Sequence, residues 1–169
     1  MRLIYHLAVS LNGLATHPEG PDWLVPFAEA ALVYLPRLLG EVDGLLMGRR
    51  TYEEALVLGW AYGEKPALVV STKEGLGGPG KRVASPEEAI RLASTLGLTR
   101  LWLVGGPTLA QALLPQLSEV RLAYCPVVLE AGKPFLQGPL SLRLLGTEVL
   151  PGGVLLCRYR PQVSPTQGP

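Results

Sequence analysis

The sequence predicts an α/β fold: a mainly parallel central sheet, helices on both faces, and a closing antiparallel hairpin. Three observations carry that expectation. Short β-rich apolar runs alternate with segments whose apolar residues recur at three- and four-residue steps, the order that builds parallel sheets. One run, "PALVVST", is apolar without interruption, as in a strand buried on both faces. The last two runs are separated only by the turn "PGG", which makes them an antiparallel pair.

The first strand is expected over residues 3–9, followed by the loop "SLNGLATHPEGPD". A helix follows over 23–39, because Leu24, Phe27, Ala28, Ala31, Leu35, Leu38 and Leu39 share a helical period. Pro36 lies inside it and is expected to kink or split it. "GLLM" extending to Gly48 is the second strand, and "TYEEALVLGW" a short helix with Thr51 as N-cap, since Glu54 stands three residues on. After "PALVVST" comes the glycine-rich loop "KEGLGGPGK". Ser85, Pro86 and Glu88 then mark the start of the next helix, "PEEAIRLASTLG". "RLWLVGG" is a strand and "PTLAQALLPQ" a helix. Three β-like stretches, 120–129, 142–150 and 154–159, complete one domain over residues 1–160. The tail 161–169 is polar and proline-rich and is expected to be disordered.

Composition removes several function classes. The 169 residues are 48% hydrophobic and 17% charged, enough to bury a core. A net charge of +1 without a basic run argues against nucleic acid. Charges punctuate every leucine-rich region, so no membrane span is expected. The opening "MRLIYHLAVSLNGLA" imitates a weak signal peptide, but His6 and Asn12 interrupt it, and it reads as a first strand of a cytoplasmic protein. Cys125 and Cys157 sit in apolar strand-like runs and are expected to be buried free thiols. With His6 and His17 they offer no metal-ligand spacing, so no metal is expected.

In a parallel sheet, ligands sit beyond the carboxyl ends of strands, where loops enter helices. Three such ends carry anion chemistry. In "LLMGRRTYEE", Gly48 permits close backbone approach and a helix begins beside Arg49 and Arg50. Cations oppose the dipole at that terminus, and a bound phosphate would relieve the conflict. "VVSTKEG" offers the Ser71 and Thr72 hydroxyls and the Lys73 ammonium. "LVGGPTLAQALL" places Gly105 and Gly106 before a helix start. The one G-x-G-x-x-G, "GLGGPG" over 75–80, lies in the glycine-rich loop and opens no expected helix, so it is not a dinucleotide fingerprint. Each turn alone is also an ordinary structural corner, but together they suit a ligand with several phosphates, and a dinucleotide fits best.

The order "YHLAVSLNGLA", "DGLLMGRRTYE", "LVVSTKEG", "LWLVGGPTLAQALL", "VRLAYCPVVLEAGKPF" resembles the dihydrofolate reductase-like superfamily. It is most similar to bacterial proteins related to the reductase domain of the riboflavin-pathway deaminase/reductase, over residues 2–160. The resemblance implies a single-domain NADPH-dependent oxidoreductase acting on a pyrimidine- or pterin-like heterocycle. It places Ala8, Gly13 and Leu14 near the nicotinamide; Gly48, Arg49, Arg50 and Thr51 on the phosphates; and Ser71, Thr72 and Lys73 on the 2′-phosphate. Gly105, Gly106, Pro107, Thr108 and Leu109 would cradle the pyrophosphate. Relatives of this type pair as homodimers.

The departures bear on substrate. Val104 stands where riboflavin-pathway reductases carry a Glu, and the zinc-binding deaminase domain has no counterpart in these residues. Dihydrofolate reductases carry an acid in the first helix shortly after a tryptophan. Trp23 and Glu29 match that arrangement, making Glu29 the candidate proton donor and Trp23 and Phe27 candidate substrate contacts. Glu29 as a plain polar-face helix residue is the competing reading. Glu119, in "SEV", is expected to be a surface charge, and nothing in the sequence accounts for Glu130 in place of a usual glycine. The alternative to a reductase is a non-catalytic NADP(H)-binding protein of the same fold.

Overall fold

The computed structural model describes residues 1–162, and the remainder of the expected tail, 163–169, lies outside them. The strands are β1 (Arg2–Ser10), β2 (Gly44–Gly48), β3 (Ala67–Val70), β4 (Lys81–Val83), β5 (Arg100–Gly105), β6 (Glu119–Cys125), β7 (Ser141–Leu150) and β8 (Val154–Gln162). The helices are α1 (Ala28–Glu41), α2 (Arg49–Val57), α3 (Pro86–Thr95) and α4 (Pro107–Ala112). They form one sheet in the order β4-β3-β2-β5-β1-β6-β8-β7. β4 to β6 run parallel, whereas β8 is antiparallel to both β6 and β7, as the "PGG" turn requires.

Both faces are covered. Leu3, Tyr5 and Val9 of β1 pack with Ala89 and Ala93 of α3 and Leu109 of α4. Ile4 points the other way, into the layer holding Ala30, Tyr34 and Leu38 of α1 and Tyr52 of α2. That period-2 split gives β1 a near-continuous apolar reading. The chain leaves β1 through α1 toward β2 and leaves neighbouring β5 through α4 toward β6. The connections therefore diverge, and a crevice opens at the carboxyl ends between them.

Several expectations change. The helix expected over 23–39 is two pieces: a 3-10 helix over Pro21–Phe27 and then α1. Pro26, which cannot donate to a residue four back, sits where they join. Pro36 does not split α1. It is exposed, so the bond it omits falls on the solvent side while Tyr34 and Leu38 stay packed. In length and composition the stretch Pro21–Glu41 could cross a membrane, but its buried residues lie against the sheet.

Thr51 is not an N-cap. β2 passes directly into α2, Gly48 caps in extended conformation, and Thr51 is the third helical residue. Glu54 instead meets Arg50 at 3.3 Å, and Arg49 meets Glu53 at 2.6 Å. Ser85 does cap α3, accepting from the Glu88 amide at 3.1 Å, although Glu88 returns its bond to Ala84 rather than to Ser85. The glycine-rich loop leads into β4, which has too little apolar content to be recognised. Its approach is held by Tyr52, whose hydroxyl donates to the Gly77 carbonyl and accepts from the Gly80 amide. A Cβ on Gly80 would lie 2.8 Å from the Tyr52 ring, so only glycine passes there. β6 ends at Cys125 because Pro126 follows, and β8 continues through Pro161 and Gln162, into the expected tail.

Glu119 is buried, not a surface charge. It accepts from Arg121 at 2.5 Å and Arg158 at 2.8 Å, and lies 3.5 Å from Arg2. Buried Arg121 also reaches the Tyr34 hydroxyl at 2.9 Å and Glu41 at 2.6 Å. These bonds hold the Glu41 carboxyl below its ordinary range. The network ties α1 to β6 and β8, fixing one wall of the crevice.

Candidate active site: a cleft between two glycine turns

The crevice is a cavity of about 980 Å³. At one end the carboxyl termini of β2 and β5 meet. Gly48 caps α2 and Gly106 caps α4, both in extended conformation and neither with a side-chain cap bond. A Cβ on Gly48 would lie 3.8 Å from the Gly106 nitrogen, and one on Gly105 would lie 3.3 Å from Thr51 Oγ1. Two backbone turns and one hydroxyl thus converge, with α2's first amides free of side-chain caps. Gly105 also has φ +153°, which disfavours any side chain there. The Gly105–Gly106 peptide is cis. Pro107, Thr108 and Leu109 line the same end of the cavity.

The two arginines after β2 have different fates. Both line the cavity, but the guanidinium of Arg49 is consumed by the 71–75 loop. Its Nη1 donates to Ser71 Oγ at 3.2 Å and to the carbonyls of Lys73 at 2.9 Å and Glu74 at 3.4 Å, while Nη2 reaches the Gly75 carbonyl at 3.3 Å. Its Nε bonds Glu53. Arg50 is 69% exposed and has only Glu54 as partner among the described residues. Arg49 is therefore a clasp for the neighbouring loop, and Arg50 the freer cation. Ser71 is buried and receives the Lys73 amide at 3.1 Å, leaving Thr72 and Lys73 exposed outside the cavity lining. Arg82 of β4 steadies that loop from the other side, donating to the carbonyls of Lys73 and Thr72.

The remaining expected residues divide. Ala8, Trp23 and Phe27 line the cavity. Gly13 and Leu14 do not: they form the turn after β1, where Leu14 bonds Ser10 and pairs with Pro134, and they support Ala15, Thr16 and His17, which do line it. Glu29 is exposed on α1 and is not among the lining residues. The helix starts five residues later than expected, and α1 presents Ala30, Ala31 and Tyr34 to the cavity instead. Val104 lines it as an apolar wall, and the only lining carboxylate among the described residues is Glu54, which Arg50 engages.

Sequence reading weighed His6 only as a metal ligand. It lies on β1 two residues before Ala8, on the same face, and lines the cavity between Tyr34 and Trp102 at ring distances of 4.8 and 5.8 Å. Tyr62 continues this aromatic wall, 5.3 Å from Trp102. Burial lowers the His6 pKa to about 4, so the ring is neutral at physiological pH. The i, i+2 parity with Ala8 was the available signal. Cys125 also lines the cavity, and burial pushes its thiol up to about 11, which keeps it unreactive.

No protein-family model matches this chain, and no curated protein does. Among solved structures it is similar to the crystal structure of a "putative riboflavin biosynthesis protein" from Shewanella sp. PV-4, with a TM-score of 0.81. The match covers 96% of this chain and 100% of that one at 24% identity. The chain has a dihydrofolate reductase-like fold. At that identity the likeness establishes the architecture, while the chemistry rests on the residues.

Replacing Arg49 with Ala should destabilise the protein by about 1–3 kcal/mol, because several carbonyls lose a charged donor. Replacing exposed Arg50 should cost no more than about 0.5 kcal/mol. Denaturant melts of the two variants check the distinction, and equal losses would mean that Arg49 is not a clasp.

Proposed function

We propose that this protein is an NADPH-dependent reductase that delivers hydride from the nicotinamide to a small pyrimidine- or pterin-like heterocycle. One observation carries the reading: two uncapped glycine turns converge on Thr51 at the end of a largely apolar cavity. Space that a Cβ would fill, beside helix-start amides, suits a diphosphate. Gly48, Thr51, Gly105, Gly106, Pro107, Thr108 and Leu109 would hold it. Arg50, with exposed Thr72 and Lys73, would meet the other phosphates, and Ala8 would lie near the nicotinamide. The bound cofactor would supply the hydride. The protein's own contribution is to bind it, to wall the reacting ring with Trp23, Phe27 and Trp102, and to exclude water. The Shewanella structure is named for riboflavin biosynthesis, and riboflavin's ring system belongs to the heterocyclic class proposed here.

A second reading, a non-catalytic NADP(H)-binding protein, is favoured by one specific observation. No unengaged carboxylate lines the cavity among the described residues, so no obvious acid accompanies the hydride. Glu29 could take that role only if α1 moved.

Gly106→Val tests the cofactor site. Gly106 has extended backbone angles that valine adopts, and its Cβ would make ordinary contact with Thr51 Oγ1 at 3.6 Å. The thermal melt should therefore change by about 1 kcal/mol or less, while calorimetric affinity for NADPH falls at least tenfold, as roughly one lost charge-assisted bond or more requires. Parental affinity in a folded variant would sink the assignment. Oxidation of NADPH with a panel of pterins and pyrimidines separates the reductase from the binding protein.

The protein is also proposed to be a cytoplasmic homodimer. The edge strand β7 leaves Leu144 and Val149 exposed at 54% and 76%, a surface that a second copy would cover. Cys125 and Cys157, buried and free on neighbouring strands β6 and β8, suit a reducing compartment. Sedimentation at micromolar concentration should give a dimer, and a monomer would count against it.

A further inference from the structure

The polar groups of the inner cavity are few, and most are already committed. The Tyr34 hydroxyl accepts from Arg121 at 2.9 Å, the indole N–H of Trp102 donates to the His6 carbonyl at 3.1 Å, and the Cys125 thiol points to the Ala123 carbonyl at 3.8 Å. Charged lining residues stand only toward the rims: Arg49, Arg50 and Glu54 where α2 begins, and Lys133 beside Thr16. Between them the wall is Ala8, Phe27, Ala31, Leu35, Tyr62 and Val104.

Besides the Tyr62 hydroxyl, which also has no partner among the described residues, the exception is His6. Its Nδ1 lies 3.0 Å from the Arg121 carbonyl oxygen. A carbonyl can only accept, so Nδ1 carries the proton, and in a neutral imidazole Nε2 is then an acceptor. Nε2 has no hydrogen-bond partner among the described residues, yet the only fully buried side-chain polar atom without one is Arg158 Nε. Nε2 is therefore not sealed in the core; it opens on the cavity that His6 lines.

We infer that His6 Nε2 is the specificity-determining acceptor of the substrate half, and that the substrate is an uncharged planar heterocycle presenting a ring N–H to it. This rests on the reductase reading above and deepens it. An anionic ring would leave its charge in an apolar wall with no counter-ion, facing an acceptor lone pair. A ring without the N–H would leave Nε2 buried and unpaired once water is displaced. Sites built around one hydrogen bond reject such analogues more strongly than apolar pockets reject extra bulk. His6 touches the substrate without donating a proton to it, because burial keeps the ring neutral.

The test is calorimetric titration of the intact protein with three probes at neutral pH: 6,7-dimethylpterin, its N3-methyl derivative, and pterin-6-carboxylate. The first should bind at least about tenfold more tightly than the other two. His6→Phe should erase the preference over the N3-methyl compound, and His6→Gln, which retains an acceptor oxygen, should restore part of it. Equal binding of the first two probes to the parent protein, tighter binding of the carboxylate, or no binding of any probe would overturn the assignment, even if His6→Phe fails to fold. NADPH is titrated separately. Probe discrimination without NADPH binding would refute the reductase and leave His6 standing; NADPH binding without discrimination would do the reverse.

Discussion

The carboxyl ends of β2 and β5 approach so closely that Gly48, Gly105 and Thr51 share one small volume, and the mouth of the cleft depends on that approach. Because β2 and β5 are adjacent and parallel, both release helices at the same edge. A side chain at Gly105 would press on Thr51 within 3.3 Å. The register irregularity between Leu46 and Met47, which brings Met47 opposite Gly105, belongs to the same accommodation. Widening this junction by one methyl group would separate the two glycine turns.

The charged residues sort by whether they hold the frame or stay open to solvent. Buried Arg121 joins buried Glu119 to the more exposed Glu41, locking α1 onto β6. Removing one partner from such a set strands another charge, which is why it acts as a fixed wall. Arg49 plays a similar part for the 71–75 loop, and Arg82 joins it. Arg50 and Lys73 remain exposed, and under the proposed function they would meet a polyanionic ligand at little desolvation cost. Among the described residues the inner cavity receives no cation, and neutral His6 and the Tyr62 hydroxyl supply open acceptors there.

Much of this was legible in the sequence. The alternation of strand and helix periods gave the parallel sheet, "PGG" the closing hairpin, and Ser85-Pro86 the start of α3. The glycine turns at 48 and 105–106 were visible as turns, and their convergence followed once β2 and β5 proved adjacent. Partnerships were not visible. Arg49 and Arg50 are neighbours in sequence, yet only coordinates show that one folds back on carbonyls of residues 73–75. Glu119 looks like any loop-side acid until Arg121, Arg158 and Arg2 surround it. Glu29 matched a spacing rule that depended on where α1 begins, and the 3-10 segment carrying Pro21 and Pro26 moved that start. β4 escaped notice because it is a short edge strand of charged residues anchored by a tyrosine hydroxyl.

The central claim is that this edge of the sheet binds a phosphorylated pyridine dinucleotide. Parallel calorimetric titrations of the parent protein with NADPH and with NADH test it most directly. Arg50, Thr72 and Lys73, all exposed, predict tighter binding of NADPH by about tenfold or more, a gap that narrows as salt rises. Equal affinities, or no heat from either cofactor, would contradict the account.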